Sequence, residues 1–318
     1  MADQVHIGLA PGGLIRAAVP AAVARRARPR RDDRFAAVWF LLPSVLGLAA
    51  FLLLPLVASL LLGFTNWTLL GRASFVGIHN YVVLLATDPS FWPVLRNTVF
   101  YTTEYLGLNI VISMMMAVWI NNLHWGRQFF RVLFFLPTFT PLVGSAIVWL
   151  LIFTPGGFMD WVLAALRLPV PNLITDPGLA IQAVVIVSLW SGFGYNLLLF
   201  SAALNAIPES YLDAAAIDGA TAWQRFWKIK LPLISPTLFF GTVMTAITAL
   251  QIFDQVYALT RGGPGSSTVT LGYSIYHIGF ERYRMGAASA TAWVLFVIIM
   301  ALTAMQLRLQ KKWVHYDC

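Results

Sequence analysis

Six stretches of this chain are mostly apolar for more than twenty residues each: roughly 36–62, 97–120, 130–154, 179–203, 233–258 and 286–307. A helix needs about 20 predominantly apolar residues to cross the hydrocarbon core of a bilayer. Strands of a membrane barrel would instead alternate over segments of about ten residues, and no such alternation is present. The pattern predicts an all-α integral membrane protein with six transmembrane helices. Composition agrees. Charged residues make up 11% of the chain, against about 25% in an ordinary soluble domain. That combination excludes disorder, which needs low hydrophobicity and high charge. The single cysteine, Cys318, excludes a disulfide framework and a thiolate metal cage. The net charge of +8 does not point to nucleic acid, because Arg and Lys lie between the apolar runs rather than among recognition aromatics.

Lys and Arg in the connections set the orientation. With the N-terminus inside, 15 of the 21 lie in inner segments and 6 outside. Both termini are therefore expected in the cytoplasm. The first apolar run far exceeds a signal-peptide core of about 7–15 residues, so it is read as a retained helix. Residues 1–34 read as a basic cytoplasmic tail near anionic lipid, 35–308 as the transmembrane domain, and 309–318 as a second cytoplasmic tail. Trp67, Trp92, Trp161, Trp313 and Tyr316 read as interfacial anchors. The two halves show no matched interrupted helices, which argues against an inverted-repeat secondary carrier.

One inner connection is unlike a loop. Residues 208–232 read PESYLDAAAIDGATAWQRFWKIKLP. Pro208 and Glu209 suit a helix start. Gly219 suits the positive φ with which helices commonly end. Thr221 can cap a second helix over 222–230 that carries Trp223, Phe226 and Trp227 with Arg225, Lys228 and Lys230. Two short helices joined by a bend are expected under the bilayer. On physical grounds they are either an amphipathic anchor lying in the headgroups or a docking element for a soluble partner.

Polar groups inside the spans are the candidates for a solute path, since intramembrane charge is expensive and faces a cavity or partner. They are Glu104 and Asn109 in the second span, Tyr195 and Asn196 in the fourth, and Gln251, Asp254 and Tyr257 in the fifth. Aromatic rings suit the C–H face of a sugar, and amides and acids suit its hydroxyls. For each there is a plainer alternative. Glu104, Asp254 and Tyr257 sit near the outer interface, and Asn109 and Asn196 can bond helix to helix. The loop opening with Thr260-Arg261-Gly262-Gly263-Pro264-Gly265 reads as flexible through its glycines.

Asp213-Ala214-Ala215, then three residues, Gly219, nine residues, and Ile229-Lys230-Leu231-Pro232 resembles the EAA motif of ATP-binding-cassette importer permeases. The spacing matches throughout, with Asp213 standing where the motif usually has Glu. The resemblance runs from about residue 36 to 316. Phe75-Val76-Gly77-Ile78-His79-Asn80-Tyr81 resembles the first outer loop of sugar permeases, and Phe253-Asp254-Gln255-Val256-Tyr257 leading into Thr260–Pro264 is similar to the same branch. The spacing of Tyr276, Phe280 and Gly286 does likewise. The branch is the carbohydrate and glycerol-phosphate one, on the side of the first permeases of the maltose and glycerol-3-phosphate transporters. The resemblance implies a heterodimer with a second permease, two cassette ATPase subunits beneath, and a solute-binding protein outside. It implies that Asp213, Ala214, Ala215, Gly219, Ile229, Leu231 and Pro232 form the ATPase-coupling element. Arg261, Gly262, Gly263 and Pro264 would then contact the binding protein. No GxxxxGK[ST] occurs, so ATP and Mg are expected on partner subunits and no cofactor on this chain.

Competing functions are weaker. The five His are scattered over different segments with no HExxH grouping, so no metal site and no membrane enzyme are expected. A carrier or channel working without an ATPase, or an importer permease for amino acids or peptides, remains as the alternative.

Overall fold

The computed structural model describes residues 31–314. Most of the expected basic tail and the end of the C-terminal tail, including Tyr316, therefore lie outside the described residues. Chain contacts divide the protein into one unit up to Leu56 and a second from Val57 onward. The first, as described, consists of helix α1 (Arg31–Leu48), one π turn (Ala49–Leu53) and the start of α2 (Leu54–Leu62). The π turn has a local cause. Pro55 donates no hydrogen bond, and its ring crowds the carbonyl four residues back. Within this unit Phe40, Phe51 and Leu54 stand exposed, an apolar surface suited to lipid or to another helix.

The second unit carries α3 (His79–Val82), α4 (Phe91–Asn121), α5 (Arg127–Phe135), α6 (Leu142–Phe153), α7 (Phe158–Ala165), α8 (Ala180–Asn205), α9 (Glu209–Ile217) and α10 (Ala222–Arg225). It continues with α11 (Leu231–Leu233), α12 (Ser235–Leu250), α13 (Asp254–Leu259), α14 (Leu271–Tyr276) and α15 (Met285–Gln310). The described residues contain no strand beyond one isolated Thr65–Phe75 bridge. Four helices are long and apolar enough to cross a membrane: Val38–Leu62, Phe91–Asn121, Ala180–Asn205 and Met285–Gln310. These match the expected first, second, fourth and sixth spans.

The third and fifth spans differ from expectation. The stretch 130–154 is not one helix: Arg127–Phe139 and Val143–Phe153 meet at 98°. Thr140 is extended at ψ 134 ahead of Pro141, as a residue before proline prefers to be. The expected fifth span, 233–258, stops at Leu250, breaks over 251–253 and resumes as α13. A freed carbonyl at the break is satisfied from afar: Thr270 Oγ1 donates to the Ile252 carbonyl at 3.1 Å. At its other end α12 is bent by 70° from the helix that precedes it.

The core is built on α4 and α8, which pack together more extensively than any other pair of elements. Small residues allow the close approach. A Cβ on Gly192 of α8 would collide with Tyr105 Oη of α4, and one on Gly194 would collide with the Phe134 carbonyl of α5 and come within 3.0 Å of Phe135 Cα. At one end, Tyr101, Val184, Val187 and Val256 are buried together. At the other, Met114, Ala117, Phe200, Ile207 and Ile234 form a second cluster.

Candidate functional site

The 208–232 segment folds as its local chemistry dictates. Pro208 sits at ψ 131, outside the helix that begins with Glu209. That helix ends in a Schellman arrangement. Ala220 N–H donates to the Ala215 carbonyl at 2.9 Å and Gly219 N–H to the Ala216 carbonyl at 3.1 Å, with Gly219 at φ +78. One residue later a capping box opens α10. Thr221 Oγ1 accepts from Gln224 N–H at 3.3 Å, and Gln224 Oε1 accepts from Thr221 N–H at 2.8 Å. A π turn (Phe226–Lys230) follows, placed before Pro232 as the earlier one is placed before Pro55.

The two faces of the segment differ. Leu212, Phe226 and Leu231 pack onto the buried cluster of Phe200 and Ile234. Ile217 is 87% and Trp223 70% exposed, with Tyr211 and Trp227 also exposed. Asp213, Ala214 and Gly219 are exposed as well, while Ala215, Ile229, Leu231 and Pro232 are half-buried. The segment is therefore anchored to the bundle on one side and presents apolar surface on the other. Stable monomeric surfaces rarely leave such surface uncovered.

The polar groups expected along the spans divide into two sets. Asn109 and Asn196, 0% and 2% exposed, are buried in the α4–α8–α12 interface. Asn196 Nδ2 donates to Asn109 Oδ1 and to Thr245 Oγ1, both at 2.7 Å. Asn109 Nδ2 donates to Tyr105 Oη at 3.2 Å. The two bonds from Asn196 join different helices, and such interhelical bonds contribute about 0.6 kcal/mol each on average. Gln251, Asp254 and Tyr195 are exposed and Tyr257 is half-buried. Glu104 accepts from Gln182 Nε2 at 3.1 Å. Tyr257 belongs to an aromatic cluster: its ring centroid lies 5.4 Å from Phe253 and 5.3 Å from Tyr276, and Phe253 lies 5.0 Å from Tyr276.

The loop after α13 is tied down rather than flexible. Arg261 takes φ 48, Gly262 φ 83 and Gly265 φ 65. Tyr273 Oη donates to the Arg261 carbonyl at 2.9 Å. Burial raises the Tyr273 phenol above its ordinary pKa, which keeps it a donor. Thr268 Oγ1 donates to the Gly263 carbonyl at 3.0 Å, and Asn97 Nδ2 to the Ser266 carbonyl at 3.0 Å. The glycines here supply left-handed backbone and close approach, not mobility.

Comparison with known proteins decides the family. Residues 109–315 match the family described as "Binding-protein-dependent transport system inner membrane component". The chain belongs to that family. The permease is 34% identical over 297 residues to a probable ABC transporter permease protein, YesP, of Bacillus subtilis, covering 92% of this chain and 96% of the relative. It is 32% identical to the multiple sugar-binding transport system permease MsmF of Streptococcus mutans, covering 86% and 94%. It is 34% identical to the sn-glycerol-3-phosphate transport system permease UgpA of Agrobacterium fabrum, covering 77% and 83%. A chain of a bacterial alginate ABC transporter has the same fold, with TM-score 0.79 at 20% identity over 88% of this chain and 96% of that one. This is thus a multi-pass, non-catalytic permease subunit of an ABC importer, built for the inner membrane.

Sequence reasoning about the permease missed the aromatic cluster as a unit. Phe253 and Tyr257 are four residues apart and readable as one helix face, but Tyr276 joins them only through the fold. It also missed that Gly241 lies beside Asn196 and Phe200, where a Cβ would come within 3.0 Å of each.

Proposed function

We propose that this permease forms half of the pathway of an ATP-driven importer for a sugar, oligosaccharide or glycerol-phosphate-type solute. It works as a heterodimer with a second permease, above two cassette ATPase subunits that bind ATP and Mg, and receives solute from an extracytoplasmic binding protein. Both termini are cytoplasmic. The sugar and glycerol-phosphate names of relatives more than 30% identical support the solute class. The exposed Gln251, Asp254 and Tyr195 with half-buried Tyr257 line the path. Asn109 and Asn196 tie together the helices that carry its wall, and Arg261, Gly262, Gly263 and Pro264 meet the binding protein.

One observation carries the coupling role. The 208–232 segment joins an exposed apolar face around Ile217 to an inner face packed on Phe200 and Ile234. An element so built passes a push from a partner into the bundle as rigid-body motion. Asp213 offers its charge, and Ala214 and Ala215 allow close approach, while Gly219 sets the bend. Ile229, Leu231 and Pro232 lead that motion into α12.

Cysteine cross-linking tests this reading. With Cys318 replaced by Ser, Ile217→Cys is expected to cross-link to the ATPase in native membranes, and Trp161→Cys, on the opposite loops, is not. Cross-linking of Ile217→Cys to lipid-facing reagents alone, with no ATPase adduct, contradicts the coupling role and leaves a headgroup anchor.

A further inference from the structure

At the start of α4, some thirty residues along that helix from the coupling segment, lies a cavity of about 280 Å³ enclosed by α3, the 261–269 loop, α14 and the start of α15. Its lining carries three arginines, Arg261, Arg282 and Arg284, and the imidazoles of His79 and His277. The one carboxylate in the lining, Asp88, already accepts Ser90 N–H at 2.8 Å and Ser90 O–H at 2.6 Å through Oδ1. Among the described residues the only ion pair is His277–Glu281, at 2.6 Å. None of the three guanidinium groups that line the cavity forms an ion pair among the described residues, and Asp88 offsets only one of their charges.

The backbone beneath them is held while the side chains are left free. Arg261 N–H donates to the Val256 carbonyl at 2.8 Å, and Arg282 and Arg284 N–H donate to the His277 and Ile278 carbonyls at 3.0 Å. Arg261 and Tyr283, the latter between the other two arginines, take φ 48 and φ 57, and only one other non-glycine described residue has positive φ. Backbone in that region is unfavourable for L residues and concentrates where structure serves a site.

We propose that this cavity is a binding site for a phosphate-class oxyanion. The charge count selects the class. With Asp88 offsetting one guanidinium, a bound carboxylate would neutralise a second and leave the third unpaired. A phosphate monoester carries close to two charges and three acceptor oxygens, and takes charge-assisted bonds from several arginines at once. The volume suits one such group with a small substituent, not a protein segment. The group belongs either to a soluble phosphate monoester or to a lipid headgroup that ends in a phosphate monoester, as phosphatidic acid does, and the chemistry of recognition is the same for both.

The test uses the full chain purified in maltoside detergent and radiolabelled inorganic phosphate in equilibrium dialysis. Saturable binding of one phosphate per chain is expected, weakened by added salt as exposed charge requires. Sulfate is expected to compete and neutral glycerol is not. The double variant R282Q/R284Q is expected to bind about a hundredfold more weakly or worse, the loss of one charge-assisted bond from each arginine, with an unchanged melting temperature. Displacement of phosphate by stoichiometric phosphatidic acid assigns the site to lipid, and persistence of phosphate assigns it to a soluble compound. Binding that does not saturate, that glycerol competes as well as sulfate, or that the double variant leaves unchanged overturns the proposal. So does a double variant that loses only capture of a binding protein while no phosphate binds to either form. The assay needs no ATPase or partner permease, so its outcome is independent of the coupling role.

Discussion

Gly219→Val is expected to abolish solute uptake while leaving the permease inserted and its helices packed. The reason lies in what surrounds the residue. Nothing lies within 4 Å of a Cβ built on Gly219, so the substitution meets no steric wall. The whole cost is in the backbone. Gly219 sits at φ +78, a conformation that is unfavourable by roughly 1–2 kcal/mol for an ordinary L residue and worse for a β-branched one. The strain is relieved where resistance is least, by opening the angle between α9 and α10. Only a Schellman pair and a capping box flank that angle, and α9 is held to the buried cluster by Leu212 alone, whereas Phe226 and Leu231 both hold the second half. The Ile217 end would then swing relative to the bundle and miss its partner. Gly219→Asn, which tolerates the left-handed region, is the control and should retain most uptake. Measured together, loss of uptake in Val and retention in Asn at equal membrane levels support the bend as the coupling geometry. Normal uptake in the Val variant contradicts it.

Gly194→Leu is expected to act differently, by preventing a stable fold. The atoms a side chain would meet there belong to the backbone of α5: the Phe134 carbonyl oxygen, Phe135 Cα at 3.0 Å and the Phe134 carbonyl carbon at 3.2 Å. A rotamer change cannot clear them, so α5 must leave α8. Overpacking of this kind costs about 1–3 kcal/mol or more even where neighbours yield. Separating α5 from α8 also strains the polar tie between them, in which Arg131 Nη2 donates to Ser201 Oγ at 2.8 Å and to Asn121 Oδ1 at 2.9 Å. Even Gly194→Ala should lower the melting temperature in detergent. Gly107→Ala is the control: nothing lies within 4 Å of a Cβ at that position, and the gain in helix propensity is about 1 kcal/mol. Equal melting temperatures for Gly194→Leu and the parent protein would show that α5 does not rest on α8 as described.

The contrast between these two glycines marks what was legible in the sequence. The bend at Gly219 is a local matter: the helix stop, Thr221 and Gln224 lie within six residues, and each acts on its own backbone. Spans one, two, four and six were equally readable, since hydrophobic length alone decides them. The sharp bend in span three was not readable although Pro137 and Pro141 are visible, because whether a proline kinks or breaks a helix depends on neighbours that satisfy the freed groups. The break at 251–253 carries no proline or glycine at all. Its cause is Thr270, 18 residues downstream, whose hydroxyl satisfies the Ile252 carbonyl. Likewise the bond between Asn109 and Asn196 joins positions 87 apart. Gly194 was unreadable for the same reason, its need for hydrogen in place of Cβ being set by a different helix. Three glycines in the 260–265 loop suggested flexibility, whereas side chains from Asn97, Thr268 and Tyr273 hold that loop in place.

The most direct measurement of the central claim is gentle extraction of the tagged permease from its native membrane, with mass spectrometry of the chains that accompany it. The account predicts recovery of a second six-span permease in equal amount and a cassette ATPase in twice that amount, with the ATPase lost first when Asp213 and Ile217 are both replaced by Lys. Recovery of the chain alone, in a preparation that preserves other membrane complexes, would contradict it.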